Sequence, residues 1–457
     1  MITLEEFLQI DLAPMLTGVL ACLACGLLGN FLVLRGQSLM GDAISHVVLP
    51  GIVAGFYIAQ SRATPFVFAG AVVSAVIAAA LIELVRRLGK VEAGAAMGVV
   101  FSVMFAGGIV MLENIHASGV DLDADCVLYG QLEGVMWLKV SSVGSLLSPE
   151  VLADAPRQLV TLAVIALLAI VVVLTFYKEL RIVCFDPALA TTLGIPAGAA
   201  HMALMLLIAV AAVASFEAVG SILVIGMLIC PAATARMLTD RFSTQLWLSA
   251  IVAIFTGAGG YALGAFAPMW LNSMGVIEWS DALSVSGSIV TLAGALLVAT
   301  IIFSPTHGVI VRRLRTLRLS VSVAREDLLA MLYRVEESGE RAMSRDHALR
   351  ALATTTAGSL TSRLALRAAS QRDETVRANG DIALTKAGRD RARGLVRTHR
   401  LWESYLVHQM GLRPDHVHDS AMHLEHVTSE RMRKRLEELG AGKTTDPHGK
   451  SIPEEPS

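Results

Sequence analysis

The sequence predicts a mainly α-helical chain in which a polytopic membrane domain of about nine spans, residues 1–319, precedes a cytoplasmic helical domain. Three observations carry this. The 457 residues are 54% hydrophobic and only 17% charged, with a mean hydropathy of +0.62, whereas soluble chains average about 25% charged residues. Charges are partitioned, with 34 in residues 1–319 and 42 in residues 320–457. Eight of the twelve histidines lie beyond Ser320. These features exclude a purely soluble enzyme, a disordered chain and a collagen-like protein. The net charge of -2 offers no basic excess for nucleic acid.

Met1 to Pro14 carries Glu5, Glu6 and Asp11 and no basic residue, so the apolar run that follows lacks the cationic start of a signal peptide. Runs near the roughly 20 residues that cross a bilayer recur at Met15–Leu34, Ala43–Gln60, Pro65–Leu84, Gly94–Leu112, Gln158–Tyr177, Ala199–Phe216, Ala218–Leu238, Leu246–Met269 and Ala282–Phe303. Cations gather in alternate connections: Arg35, Arg86/Arg87/Lys90, Lys178/Arg181, Arg236/Arg241 and Arg312/Arg313/Arg315/Arg318. The other connections hold Asp121, Asp123, Asp125, Glu217, Glu278 and Asp281, with Arg62, Lys139 and Arg157 as minority cations. Positive residues stay inside, so the N-terminus is expected outside and the tail in the cytoplasm.

The five cysteines, Cys22, Cys25, Cys126, Cys184 and Cys230, all lie in the apolar part. The Cys22–Cys25 C-x-x-C pair has a spacing that redox or metal chemistry uses, but it sits in a Leu/Ala/Gly run and reads as small residues that let helices approach closely. Glu83 and His201 lie near helix ends and read as side chains reaching for the interface.

The most informative stretch is Gly41-Asp42-Ala43-Ile44-Ser45-His46-Val47-Val48-Leu49-Pro50-Gly51. A carboxylate and an imidazole four residues apart share a helix face, and together they offer O and N donors to a divalent transition metal. On spacing alone an equal alternative stands, in which Asp42 caps the helix and His46 bonds to a neighbouring helix.

This run resembles the signature of permease subunits of ATP-binding-cassette importers for manganese, zinc and iron, the ABC-3 family. Further similar stretches are Lys90-Val91-Glu92 with Gly98-Val99-Val100-Phe101, Asp123 to Gly130, and Tyr177-Lys178-Glu179-Leu180 with Phe185-Asp186-Pro187. The resemblance implies that Asp42 and His46 coordinate or gate the ion in the pore. It also implies a bacterial plasma (inner) membrane, a divalent cargo that is manganese first with zinc or iron as alternatives, and no cofactor of the chain's own. The implied partners are a cytoplasmic ATP-binding-cassette ATPase, an extracytoplasmic metal-binding protein and a second permease subunit, identical or not. DNA is not an expected partner.

A permease must receive force from its ATPase, and Lys178 to Ala200 is the longest connection on the cytoplasmic side. Asp186-Pro187 reads as a helix N-cap followed by Pro in the first turn, with Gly194 ending a short helix. An ordinary interfacial loop is the plain alternative; the resemblance implies a coupling helix at Asp186, Pro187 and Gly194. The chain is not itself an ATPase. Gly440 to Thr444 mimics the end of a phosphate loop, but the position of the first glycine that loop needs is Glu437, and the stretch before it reads as a charged helix rather than a strand.

Beyond Ser320 the pattern becomes amphipathic. Arg325 to Glu337 places Leu328, Leu329, Leu332 and Val335 on one face, and Thr398 to Met410, Asp415 to His426 and Ser429 to Leu439 repeat the habit. His399 and Glu403 form an i, i+4 pair, and His418, Met422, Glu425 and His426 line one side of a helix. Such a set suits a transition metal better than calcium or magnesium, and on spacing alone a solvated surface of helix-stabilising pairs is an equal alternative. Leu384 to Arg389, Thr398 to Glu403, Leu424 to Val427 and Thr444 to Lys450 resemble the metal-binding and dimerisation domain of iron- and manganese-dependent transcriptional repressors, expected over residues 391–457. The resemblance implies one metal site at His399, Glu403 and His418 and another at Asp327, Met422, Glu425 and His426. Met422 departs from the Cys or Glu usual there. A degenerate winged helix is expected over residues 320–390, although Ser344 to Ser370 shows no clear turn between two helices. The alternative to a metal permease with a sensing tail is a membrane-tethered, metal-dependent DNA-binding regulator.

Overall fold

The computed structural model describes residues 3–37, 39–59, 64–116, 132–275, 283–355, 358–378, 380–439 and 444–455. Asp121, Asp123, Asp125, Cys126, the rest of the 123–130 run, Arg62, Glu278, Asp281 and Gly440 to Lys443 lie outside the described residues. The chain separates into two compact units, Met1–Val311 and Arg312–Ser457.

Among the described residues, nine apolar helices build the first unit: α1 (Leu12–Leu34), α2 (Leu39–Ala59), α3 (Thr64–Gly89), α4 (Ala93–His116), α5 (Arg157–Thr175), α8 (Ala197–Val219), α9 (Ser221–Leu238), α10 (Phe242–Ser273) and α11 (Val285–Phe303). Two short helices, α6 (Tyr177–Phe185) and α7 (Pro187–Thr192), lie between α5 and α8. Among the described residues, seven helices are long and apolar enough to cross a membrane, and the shorter apolar stretches His46–Ala59 and Leu223–Leu238 belong to α2 and α9. Both of those helices carry an internal proline, Pro50 and Pro231, which removes one helical N–H each.

The bundle closes on α1, whose Cys22, Cys25, Leu28, Phe31 and Leu32 are all fully buried. Small residues permit that closeness: a Cβ at Gly29 would overlap the Leu228 carbonyl oxygen of α9, and one at Gly51 of α2 would overlap the Gly70 carbonyl oxygen of α3. Neutral polar bonds knit the same helices. Gln245 Nε2 donates to Asn30 Oδ1 at 2.9 Å, Ser249 Oγ donates to the Gly26 carbonyl at 2.9 Å, and Cys25 meets Ser215 at 3.4 Å. The C-x-x-C thiols are therefore buried packing groups outside any disulfide.

In the second unit, α12 (Val309–Glu337), β1 (Met343–Ser344), α13 (Arg345–Thr355), α14 (Ser359–Gln371), β2 (Thr375–Ala378) and β3 (Asp381–Leu384) precede α15 (Lys386–His408), α16 (His418–Glu425) and α17 (Glu430–Leu439). The three strands form an antiparallel sheet in the order β1-β3-β2. Leu328, Leu329, Leu332, Leu352, Leu366, Ile382 and Leu384 share one core. Helix α12 begins well before the expected Arg325, because no Gly or Pro interrupts the chain from Val309 to Glu337. Two helices, α13 and α14, occupy the stretch from Ser344 to Ser370, where the sequence shows no clear turn. Gly358 has a φ of +103°, a conformation that glycine adopts without a Cβ clash, and α14 starts immediately after it.

Candidate metal sites

Helix α2 carries the first pair. Asp42 lies one turn before His46. The His46 ring is half-buried against two aromatic rings of α4, with centroids 5.2 Å from Phe101 and 5.1 Å from Phe105. Ser74 of α3 donates its hydroxyl to the Val47 carbonyl, so α2 is held on both sides where the motif runs.

The second feature is the α6–α7 segment. Asp186 Oδ1 accepts the Leu189 N–H at 2.9 Å and Pro187 takes the first helical position. At the other end Gly194, with φ +81°, donates to the Thr191 carbonyl, and Ile195 donates to that of Ala190. That pair of bonds is a Schellman ending. Phe185, Leu189 and Leu193 stand exposed along the segment, an apolar surface without a cover in the isolated chain.

The densest polar site lies in the second unit. Helix α15 supplies His399 and Glu403 at its core-facing side, 2% and 3% exposed, and α16 supplies His418 and Glu425. His399 Nε2 lies 3.1 Å from Glu403 Oε1 and 3.1 Å from His418 Nδ1, and the last two are 3.0 Å apart. Donors arranged around one transition-metal cation at about 2.0–2.2 Å stand about 3 Å from each other, so this triangle has the size of a coordination face. The other nitrogen, His399 Nδ1, meets Glu425 Oε2 at 2.6 Å. A buried carboxylate behind a ligating imidazole fixes the ring and raises its basicity.

Asp327, Glu425 and His426 form a second group. His426 Nε2 is 3.0 Å from Asp327 Oδ1 and 3.7 Å from Glu425 Oε1, and its Nδ1 meets Glu326 Oε2 at 2.9 Å. Glu425 thus stands between the two groups, one oxygen toward each histidine. Met422 is half-buried on α16, and the carboxylate of Glu326 takes the second nitrogen of His426. A third group joins Glu403 to Asp446 and His448, the latter 4.0 Å away. Glu326, Asp446 and His448 are not among the residues expected from sequence. The adjacent Arg325-Glu326-Asp327 run carries a signal for the first, and the turn Asp446-Pro447-His448-Gly449 for the others. Asp446 Oδ1 holds that turn by accepting the His448 and Lys450 N–H groups at 2.9 and 2.8 Å.

Electrostatics follow from this pairing. Burial pushes the Glu403 carboxyl up, but hydrogen bonds from His399 and His418 outweigh it and bring the group down to about 2. Burial lowers His399 and His426, and the carboxylates around them reverse that, raising His399 and bringing His426 up to about 10. The site therefore concentrates carboxylate charge that protons neutralise when no cation is bound. Its N/O donors fit a divalent transition metal.

Residues 7–148 and 136–277 match the ABC 3 transport family, over more than half the chain. The chain belongs to the ABC 3 transport family. In this ABC 3 permease, residues 385–454 further match the iron-dependent repressor metal-binding and dimerisation domain, a segment that contains every residue of the three groups above except Asp327, with Glu326 also outside it. Among curated relatives, the permease is 37% identical over 303 residues to the manganese transport system membrane protein MntD of Bacillus subtilis (strain 168), covering 66% of this chain and 95% of that one. It is 35% identical over 329 residues to the zinc transport system membrane protein TroD of Treponema pallidum (strain Nichols), covering 71% and 83%. Among solved structures, PsaBC from Streptococcus pneumoniae in complex with Fab matches with a TM-score of 0.49 and 27% identity, covering 65% of this chain and 92% of that one.

Proposed function

We propose that this permease carries a divalent transition-metal ion, manganese first, inward across a bacterial plasma membrane, with ATP hydrolysed by a separate cytoplasmic ATPase. The observation that carries the metal is the 37% identity to a manganese transport protein along nearly its whole length; zinc and iron remain the rival cargoes. An extracytoplasmic binding protein delivers the ion and a second permease subunit completes the channel. The N-terminus lies outside and the tail inside, a reading that the cation-rich connections support. Asp42 and His46 hold the ion in the pore. The setting of His46 against Phe101 and Phe105 supports this reading, since an apolar wall makes each polar donor count more. The capped helix α7 is the lever on which the ATPase acts, a reading supported by exposed Phe185, Leu189 and Leu193.

Residues 1–319 are the permease, and residues 391–457 are a metal-sensing and dimerising domain that supplies His399, Glu403, His418, Met422, Glu425 and His426 as ligands, joined by Asp327 and, from the geometry, Glu326 of α12. Metal bound there reports cytoplasmic abundance back to the permease. The test is uptake of radiolabelled manganese, zinc and iron by cells carrying the chain and its ATPase. Asp42→Ala and His46→Ala are each expected to lower manganese uptake at least about tenfold at equal membrane abundance, and undiminished uptake in both overturns the pore assignment.

One observation favours a second reading. Helices α13 and α14, followed by the β2–β3 hairpin, have the order of a helix-turn-helix with a wing, so residues 320–390 suit a tethered, metal-dependent DNA reader. Manganese-dependent retention of promoter DNA by the detergent-solubilised full chain would favour it.

A further inference from the structure

Glu83 and His201, read from sequence as side chains reaching for the interface, meet in one cavity. It measures about 20 Å³, and its lining includes Gln37, Glu83 with Arg86, and His201, beside Met97, Met202 and Met205. That volume holds one water-sized occupant. The lining comes from four places at one end of the bundle: the link after α1, the last turns of α3, the first turns of α4 and the first turns of α8. The same end carries Arg35, Arg86 and the α6–α7 segment, and α7 packs against α8.

The donor chemistry is specific. An imidazole with its Nδ1 buried, a carboxylate paired with the Arg86 guanidinium, and an amide whose oxygen is buried line the space together with three thioethers. Ionisable groups among apolar helices are costly and mark ion paths. Gln37 Oε1 is buried and has no hydrogen-bond partner among the described residues, an arrangement that costs free energy unless a cation or a water meets it. Nitrogen and oxygen with soft sulfur suit a transition metal rather than calcium or magnesium. Thioethers bind a hard divalent ion weakly, so an ion here is held briefly and released, as conduction requires. Glu83 is paired with Arg86 at 2.8 Å. Arg86 is partly exposed, so an arriving cation can replace it.

We propose that this cavity is the exit site of the transported ion, with His201, Glu83 and Gln37 as its donors and Met97, Met202 and Met205 as its soft wall. His201 stands on the first turns of α8, five residues past the Pro196 that ends the α7 connection. A push on α7 therefore moves one ligand of the site relative to Glu83 on α3 and opens it. This inference rests on the metal-permease reading.

The test measures radiolabelled manganese uptake by cells carrying the full chain with its ATPase, corrected for membrane abundance. Glu83→Gln and His201→Ala are expected to lower uptake about tenfold. His201→Cys supplies a thiolate that grips soft cations, so cadmium should block its manganese uptake at a concentration about tenfold lower than for wild type; a side chain that only packs would not give this shift. Uptake within about twofold of wild type in both Glu83→Gln and His201→Ala, or unchanged cadmium sensitivity in His201→Cys, overturns the exit site. Loss of manganese uptake by the unaltered chain would instead overturn the permease reading.

Discussion

The membrane unit and the tail differ in the balance of neutral and charged groups that they bury. In the membrane unit several long-range polar bonds inside the bundle join neutral groups, such as Gln245 with Asn30 and Ser249 with the Gly26 carbonyl, beside the bond that Tyr261 donates to the Asp11 carboxylate at 2.7 Å, and His46 rests on two phenyl rings. In the tail, charged side chains are buried in number and paired, with His399 between two carboxylates and His426 between two more. A bilayer makes charge costly, so a path through it uses few ligands and lets the ion go. A water-facing domain can assemble many carboxylates around one point, and such a site holds its ion. The two regions therefore suit passage and retention of one class of cation.

That contrast can be broken from either side. The largest effect is expected at Gly29. Gly29→Val places a side chain where the Leu228 carbonyl already stands, at a cost of about 3 kcal/mol or more, and the chain should fail to accumulate in membranes on immunoblots. Normal abundance would mean that α1 and α9 are not so closely apposed.

Next comes Glu425→Ala, which removes the carboxylate shared by both tail groups. Manganese affinity of the purified full chain, read by competition with a fluorescent chelator, should fall about 10–100-fold. If affinity is kept, the two groups act without their common member. The smallest effect belongs to Gln245→Leu, which strips the neutral partner from Asn30. Buried polar bonds between membrane helices average about 0.6 kcal/mol, so thermal unfolding in detergent should shift only slightly. A large shift would show that neutral pairs carry as much weight in the bundle as charged pairs do in the tail.

Much of the molecule is legible in its sequence. Hydropathy marks nine runs because a bilayer imposes one length and one polarity on every span. The α7 helix is legible from Asp186, Pro187 and Gly194, since cap chemistry acts within a turn of its residue. His399 and Glu403 are legible as i, i+4 neighbours for the same reason. Glu326 is not, because it is 100 residues from the His426 it meets. The start of α14 after Gly358 is obscured by a run of threonines that fits either a loop or a helix end, and the short strands β1 to β3 follow from pairing with one another rather than from alternation.

By itself, then, the sequence determined the spans, the helix caps and the local ligand pairs, all of which depend on neighbours within one turn or on the solvent around one segment. Only the tertiary structure decided that Glu425 serves two histidines, that Asp446 and His448 approach Glu403, that Gly29 lies against a carbonyl, and that Gln37, Glu83 and His201 line one cavity. Each of these depends on which distant segments the fold brings together, and the helix crossings that do so are set by side-chain packing across many residues at once.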